Sequence, residues 1–236
     1  MKRLIILTLL LTAFATTWIG CSRKPKYFEP TGINDRTKEL AGKNVWTYLN
    51  NKESIDEYTR VGDSIFGGEI ACNVKPLTGI DIKTFKALAG TNYAKDTSHV
   101  YYPLEIPCID YTDCGVCYYG KIIIENANPI SFRYLGKDYA SDGKYVFVRG
   151  ELLQGADGAT FKIVEGPQYF CFATDKNNVY KRNRIFKEAD PLTFYYNKND
   201  PRNKVVQYEA PYIIGDKNNE WEYDPLTDQF KKVDKK

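Results

Sequence analysis

Two short motifs alternate along most of this chain, and their regular alternation restricts the fold to a row of similar units. The first is an aspartate followed four residues later by valine and five residues later by an aromatic residue. Asp96 with Val100-Tyr101, Asp142 with Val146-Phe147 and Asp175 with Val179-Tyr180 all fit it. Asp113 with Cys117-Tyr118 fits if cysteine replaces valine, and Asp216 with Trp221 keeps the aspartate and the ring, which makes five copies. The second motif recurs between them as Asp81-Ile-Lys-Thr-Phe85, Asn128-Pro-Ile-Ser-Phe132, Asp157-Gly-Ala-Thr-Phe161 and Asp190-Pro-Leu-Thr-Phe194. Asp224-Pro-Leu-Thr227 begins a further copy without its aromatic residue in register. The offset from Phe147 to Phe161 equals that from Tyr180 to Phe194, at 14 residues.

Residue chemistry assigns each motif a shape. In Tyr139 to Phe147 and Phe172 to Tyr180, aromatic and β-branched residues flank a polar Asp, Asn and Gly cluster, the pattern of a β-hairpin. A third apolar run follows each hairpin, at Lys121 to Ile124, Glu151 to Leu153 and Arg184 to Phe186, and reads as another strand. Asp190-Pro191 offers a side-chain acceptor and a preset φ, so Asp-Pro-x-Thr-Phe reads as one short helical turn pinned by its phenylalanine. The expected fold is mainly β, with repeated hairpin or three-strand units separated by short helical turns, each burying its apolar face on its neighbours. Tyr101, Tyr118, Phe147, Tyr180 and Trp221 share one strand position that admits Phe, Tyr and Trp but nothing small. They are expected to form a buried ladder. Asp63-Ser-Ile-Phe66 with Gly67 to Ile70 looks like a worn copy, and residues 35–50 fit a helix or a strand equally well.

The N-terminus carries Lys2 and Arg3, an apolar run from Leu4 to Phe14, and Trp18-Ile-Gly-Cys21. This reads as a signal peptide over 1–20 ending in a lipobox-like tetrapeptide, with Gly20 before the cut and Cys21 as the lipid acceptor. Trp18 stands where leucine is usual. The apolar run is shorter than a spanning helix needs. The expected arrangement is a signal over 1–20, a tether over 21–33 and one repeat domain over 34–236, held on a membrane of the cell envelope by its N-terminal lipid.

Asp175-Lys-Asn with Val179-Tyr180, Asp216-Lys-Asn and the Ala-Asp-Pro-x-Thr-Phe element at Ala189 to Phe194 resemble the DKNYY family, bacterial exported proteins named for a repeated Asp-Lys-Asn-Tyr-Tyr signature. The resemblance covers about Asp81 to Phe230, although no copy here has Tyr-Tyr directly after Asp-Lys-Asn. It implies a repeat fold and an exported setting. It implies no biochemical activity.

Several chemistries are excluded or disfavoured. The formal charge of +3 includes Lys2 and Arg3, and no long basic stripe suggests nucleic acid. His99 is the only histidine, which rules out a multi-histidine metal site, and Met1 is the only methionine. No G-x-S-x-G or other catalytic constellation occurs. The Asp-rich turns lack the spacing of a calcium loop, since Asp175-Lys-Asn-Asn-Val puts a cation second and valine fifth. No metal or cofactor is expected. With Cys21 lipidated, Cys72, Cys108, Cys114, Cys117 and Cys171 remain as disulfide candidates. Three of them lie within ten residues, so at least one bridge is expected among Cys108, Cys114 and Cys117. The function expected is non-catalytic, with an unknown envelope protein as partner or a purely structural role. The alternative is binding or processing of a glycan, motivated by 19 Tyr, 12 Phe and 3 Trp. A thiol-redox role for Cys114 and Cys117 is a third possibility.

Overall fold

Three-residue runs of apolar side chains, broken by polar turns, pair here into small antiparallel sheets. The structure, a computed structural model, describes residues 41–67, 75–103, 105–106, 118–119, 122–167, 170–203 and 211–235. Four of its sheets have four strands. In the first, Lys86–Leu88, Tyr93–Lys95 and Val100–Tyr101 follow one another, with Thr47–Tyr48 added beside Lys86–Leu88 and Ile123 bridging to Tyr101. The second consists of Arg133–Gly136, Tyr139–Ser141, Val146–Val148 and Glu151–Leu152. The third consists of Lys162–Ile163, Phe172–Thr174, Val179–Lys181 and Arg184–Phe186. Tyr195–Tyr196, Tyr212–Gly215, Glu220–Asp224 and Gln229–Val233 form the fourth. Upstream, Ser54–Ile55, Tyr58–Val61 and Ser64–Gly67 make a three-stranded meander.

The mainly β repeat is therefore present, but each unit has four strands where three were expected. The additional strand directly follows the phenylalanine of the second motif and is short and mixed in polarity, as in Lys162–Ile163, so it carries no alternating pattern of its own. The second motif itself is a single turn. Thr84, Thr160 and Thr193 donate their N–H to the carbonyl three residues back, at 3.1–3.3 Å, and Oδ1 of Asp81, Asp157 and Asp190 caps the turn.

Two proposed copies are built differently. In the four sheets the aromatic residue pairs with the residue two before its aspartate, as Ala94↔Tyr101, Ala140↔Phe147, Ala173↔Tyr180 and Ile214↔Trp221. Tyr118 instead pairs with Ile106 in a two-stranded sheet, inside an insertion between Tyr101 and Ile123. Asp224-Pro-Leu-Thr227 opens no new unit, because Asp224 pairs with Gln229 across a hairpin turn of the last sheet.

The sheets follow one another as layers. Neighbouring residues on a strand point to opposite faces, and here both faces are covered. Tyr101 packs with Tyr58 and Ile65 of the three-stranded sheet. Val100 faces the other way, into a cluster with Phe132 and Phe147 of the second sheet. Val146 and Tyr180 meet between the second and third sheets, and Val179 and Trp221 between the third and fourth. Each sheet thus touches its sequence neighbours, a nearly one-dimensional arrangement. In the last unit Glu220 takes the valine position, where the described residues supply no further sheet. Its Oε1 accepts from the Tyr195 hydroxyl at 3.0 Å and from Asn197 at 3.1 Å.

Candidate functional site

The repeated aspartate is a clamp joining both motifs of its unit. In Asp175, Oδ1 accepts the N–H groups of Asn177 and Asn178, each at 2.7 Å, which closes the hairpin loop. Oδ2 accepts the N–H of Asp157 at 2.8 Å and the Tyr180 hydroxyl at 2.8 Å. Asp96 repeats all four bonds, through Ser98, His99, Asp81 and Tyr101. Asp142 and Asp216 keep the three backbone bonds without the hydroxyl, since Phe147 and Trp221 bring none. The lysine after the aspartate completes the clamp in the last two units. Lys176 pairs with Asp157, and Lys217 with Asp190 at 2.7 Å. Sequence reasoning assigned the aspartate to its own turn and missed the bond to the other motif.

Burial pushes the Asp96 and Asp216 carboxyls up, but their hydrogen bonds together outweigh it and hold both below the ordinary aspartate value. A depressed folded-state value adds stability that is complete above the unfolded-state value and lost as pH falls through the folded one. The melting temperature should therefore decline as pH drops below about 4. Asp216→Asn should flatten that acid limb; an unchanged limb would remove the clamp from the explanation.

Of the expected ladder residues, Tyr101, Phe147 and Tyr180 have no exposed surface and Trp221 has 5 %. The alanines opposite three of them leave room for the rings. A further ring stands three residues before each of three clamps, at Tyr93, Tyr139 and Phe172. These contact the next unit's second-motif phenylalanine, with centroids 5.3 Å apart for Tyr93–Phe132, 5.2 Å for Tyr139–Phe161 and 5.5 Å for Phe172–Phe194. That phenylalanine then meets its own ladder ring, 5.7 Å for Phe132–Phe147 and 5.6 Å for Phe161–Tyr180. The tyrosine hydroxyls also tie units together, Tyr139 donating to the carbonyls of Cys171 and Arg182, both at 3.1 Å. Burial and the bond to Asp175 push the Tyr180 hydroxyl up to about 12.

Cys21, Cys72, Cys108, Cys114 and Cys117 lie outside the described residues, as does Asp113. Cys171 is a buried free thiol. His99 is half-buried in the Asp96 loop, with its ring centroid 6.1 Å from that of Tyr101. Among the described residues no group of His, Cys, Asp or Glu is arranged to hold a metal ion.

A groove of about 470 Å³ lies between the last strands of the third and fourth sheets. Phe186, Trp221 and Phe230 form its floor, the first and last of these stacked at 4.1 Å. Lys181, Arg184 and Lys232 line it together with Glu188 and Asp228. Arg184 is paired with Asp228, which also accepts the Tyr223 hydroxyl at 2.9 Å. Burial lowers the Lys181 ammonium, and the neighbouring Arg182 adds to the effect. From sequence Arg184 to Phe186 reads only as a strand, because only the stacking of sheets places Arg184 beside Lys232.

No curated protein and no solved structure matches the chain. The DKNYY family model matches twice, over 110–184 and 139–235. Overlapping matches are what a repeat produces when one pattern fits it in two registers, and together they cover just over half of the sequence. With both motifs accounted for as parts of one clamp, the chain belongs to the DKNYY family.

Proposed function

We propose that this protein is an exported lipoprotein of the cell envelope, non-catalytic, which binds a protein partner through the outer surface of its β-repeat stack. The observation that carries this reading is that the recurring residues all serve the interior. The aspartates close the clamps and the aromatic residues fill the layers between sheets, so recognition is left to edges and turns. The same observation argues against a glycan platform, which needs a row of open rings. Tyr48, at 52 % exposure, is the one large aromatic residue lying open among those described.

Anchoring through Cys21 rests on Lys2, Arg3, the apolar run and Gly20. No helix among the described residues is long and apolar enough to cross a membrane. Cys21→Ser should leave an uncut precursor that takes up no labelled acyl chain; normal labelling of that variant would end the assignment. The partner reading is tested by placing a photo-cross-linking amino acid at Ile185, on the edge strand that borders the groove, and at Leu192, away from it, in living cells. One dominant protein adduct at position 185 and none at 192 is the expected result. Absence of an adduct at both positions, with the protein present at normal levels, would refute it.

A further inference from the structure

We infer that the groove between the third and fourth sheets receives an acidic, extended segment of the partner protein, added as a strand to the open edge Arg184–Phe186; this deepens the protein-binding reading above and rests on it.

The two sides of the stack treat their strand edges differently. On the side of the first strands, an asparagine side chain imitates a neighbouring strand at two places, in the second and fourth sheets. Asn44 donates to the Tyr134 carbonyl at 2.9 Å and accepts its N–H at 2.6 Å. Asn203 does the same to Ile213, in the second strand of the fourth sheet just past its pairing with Tyr195–Tyr196, at 2.8 and 2.7 Å. On the side of the last strands, no described residue caps Arg184–Phe186 or Gln229–Val233. An uncapped edge is a template for another strand.

The side chains at this edge define what fits. Strand alternation puts Arg184 and Phe186 on the groove face, with Lys181 opposite Arg184 in register, and turns Ile185 to the other face. Ile185 is 40 % exposed. An added strand would therefore place an acidic side chain across from Arg184 and apolar side chains across from Ile185 and Phe186. Lys232 reaches the same groove from the fourth sheet. Arg184 already holds Asp228, yet a guanidinium has donors for a second carboxylate. Within the groove Lys181, Arg184 and Lys232 stand against Glu188 and Asp228, and Arg182, Lys187 and Lys231 lie close in sequence to it, with Glu222 opposite Lys231. Among the described residues no ion pair forms at Lys181, Lys187, Lys231 or Lys232. Like-charged edges also repel one another, so the same cations discourage pairing between two copies of this chain.

The test uses the full chain, purified in detergent, and a labelled peptide, Thr-Thr-Glu-Val-Val-Glu-Thr-Thr, which reads alike in both strand directions. Fluorescence anisotropy should show saturable binding that weakens with salt. Lys232→Glu, at an exposed position outside any described ion pair, should weaken it by about tenfold with an unchanged melting curve. Replacing glutamate by lysine in the peptide, or methylating its backbone nitrogens, should abolish it. Equal binding of the N-methylated peptide, of dextran sulfate or of anionic vesicles would overturn strand addition in favour of a general polyanion site. No binding of any of these would remove the inference. If the peptide is ignored but Ile185 still cross-links to one envelope protein, the scaffold reading survives alone; peptide binding without a cellular adduct gives the opposite separation.

Discussion

Replacing Phe147 with alanine should lower the unfolding free energy by about 3–5 kcal/mol, the range for truncating a fully packed aromatic side chain. Phe147 has no exposed surface and sits between the first and second sheets with Phe132, Tyr93 and Val100. Its strand partner Ala140 is already small, and Phe132 is anchored by its own turn, so the site has little means of closing over the cavity. A loss below about 1 kcal/mol in urea unfolding would mean that the layer is loosely packed.

The second large effect belongs to the clamp. Asp175 is 2 % exposed and holds three N–H groups and a hydroxyl. Asp175→Ala should cost about 3–5 kcal/mol, because it strands several donors at once and a buried unpaired donor costs about 1–3 kcal/mol. Asp142→Ala should cost about 1 kcal/mol less. The hairpin aromatic beside Asp142 is Phe147, which has no hydroxyl to strand. Equal losses at the two positions would detach the tyrosine hydroxyl from the clamp. Chemical denaturation of both variants measures the difference.

The hairpins and the buried ladder were legible in the sequence because each depends on spacing within a few residues. Asp175, Val179 and Tyr180 name the loop, the forward face and the backward face of one strand. The clamp was not legible, since the N–H of Asp157 reaches Asp175 only after the intervening strand has folded back. Tyr118 illustrates the opposite error. Five residues after Asp113, it matches the motif, yet its backbone joins Ile106, and spacing alone cannot reveal an insertion between strands. Asp224-Pro-Leu-Thr227 has the chemistry of the second motif but only Glu222 and Tyr223 lie between Trp221 and Asp224, too few for the intervening fourth strand. A turn closes there instead. Glu220 in place of valine marks the final layer, which makes sense only once the faces of the sheets are known. The groove was invisible for a related reason, as its two basic segments are distant in sequence and become neighbours through stacking.

The central claim is that each sheet is stabilised by the layers on either side of it and not by one shared core. Native-state hydrogen exchange of the wild type and Phe147→Ala tests this directly. Protection should fall most in the first and second sheets, within 86–101 and 133–152, and be largely retained in the third and fourth, within 172–186 and 212–233. A uniform fall in protection across all four sheets would contradict the account.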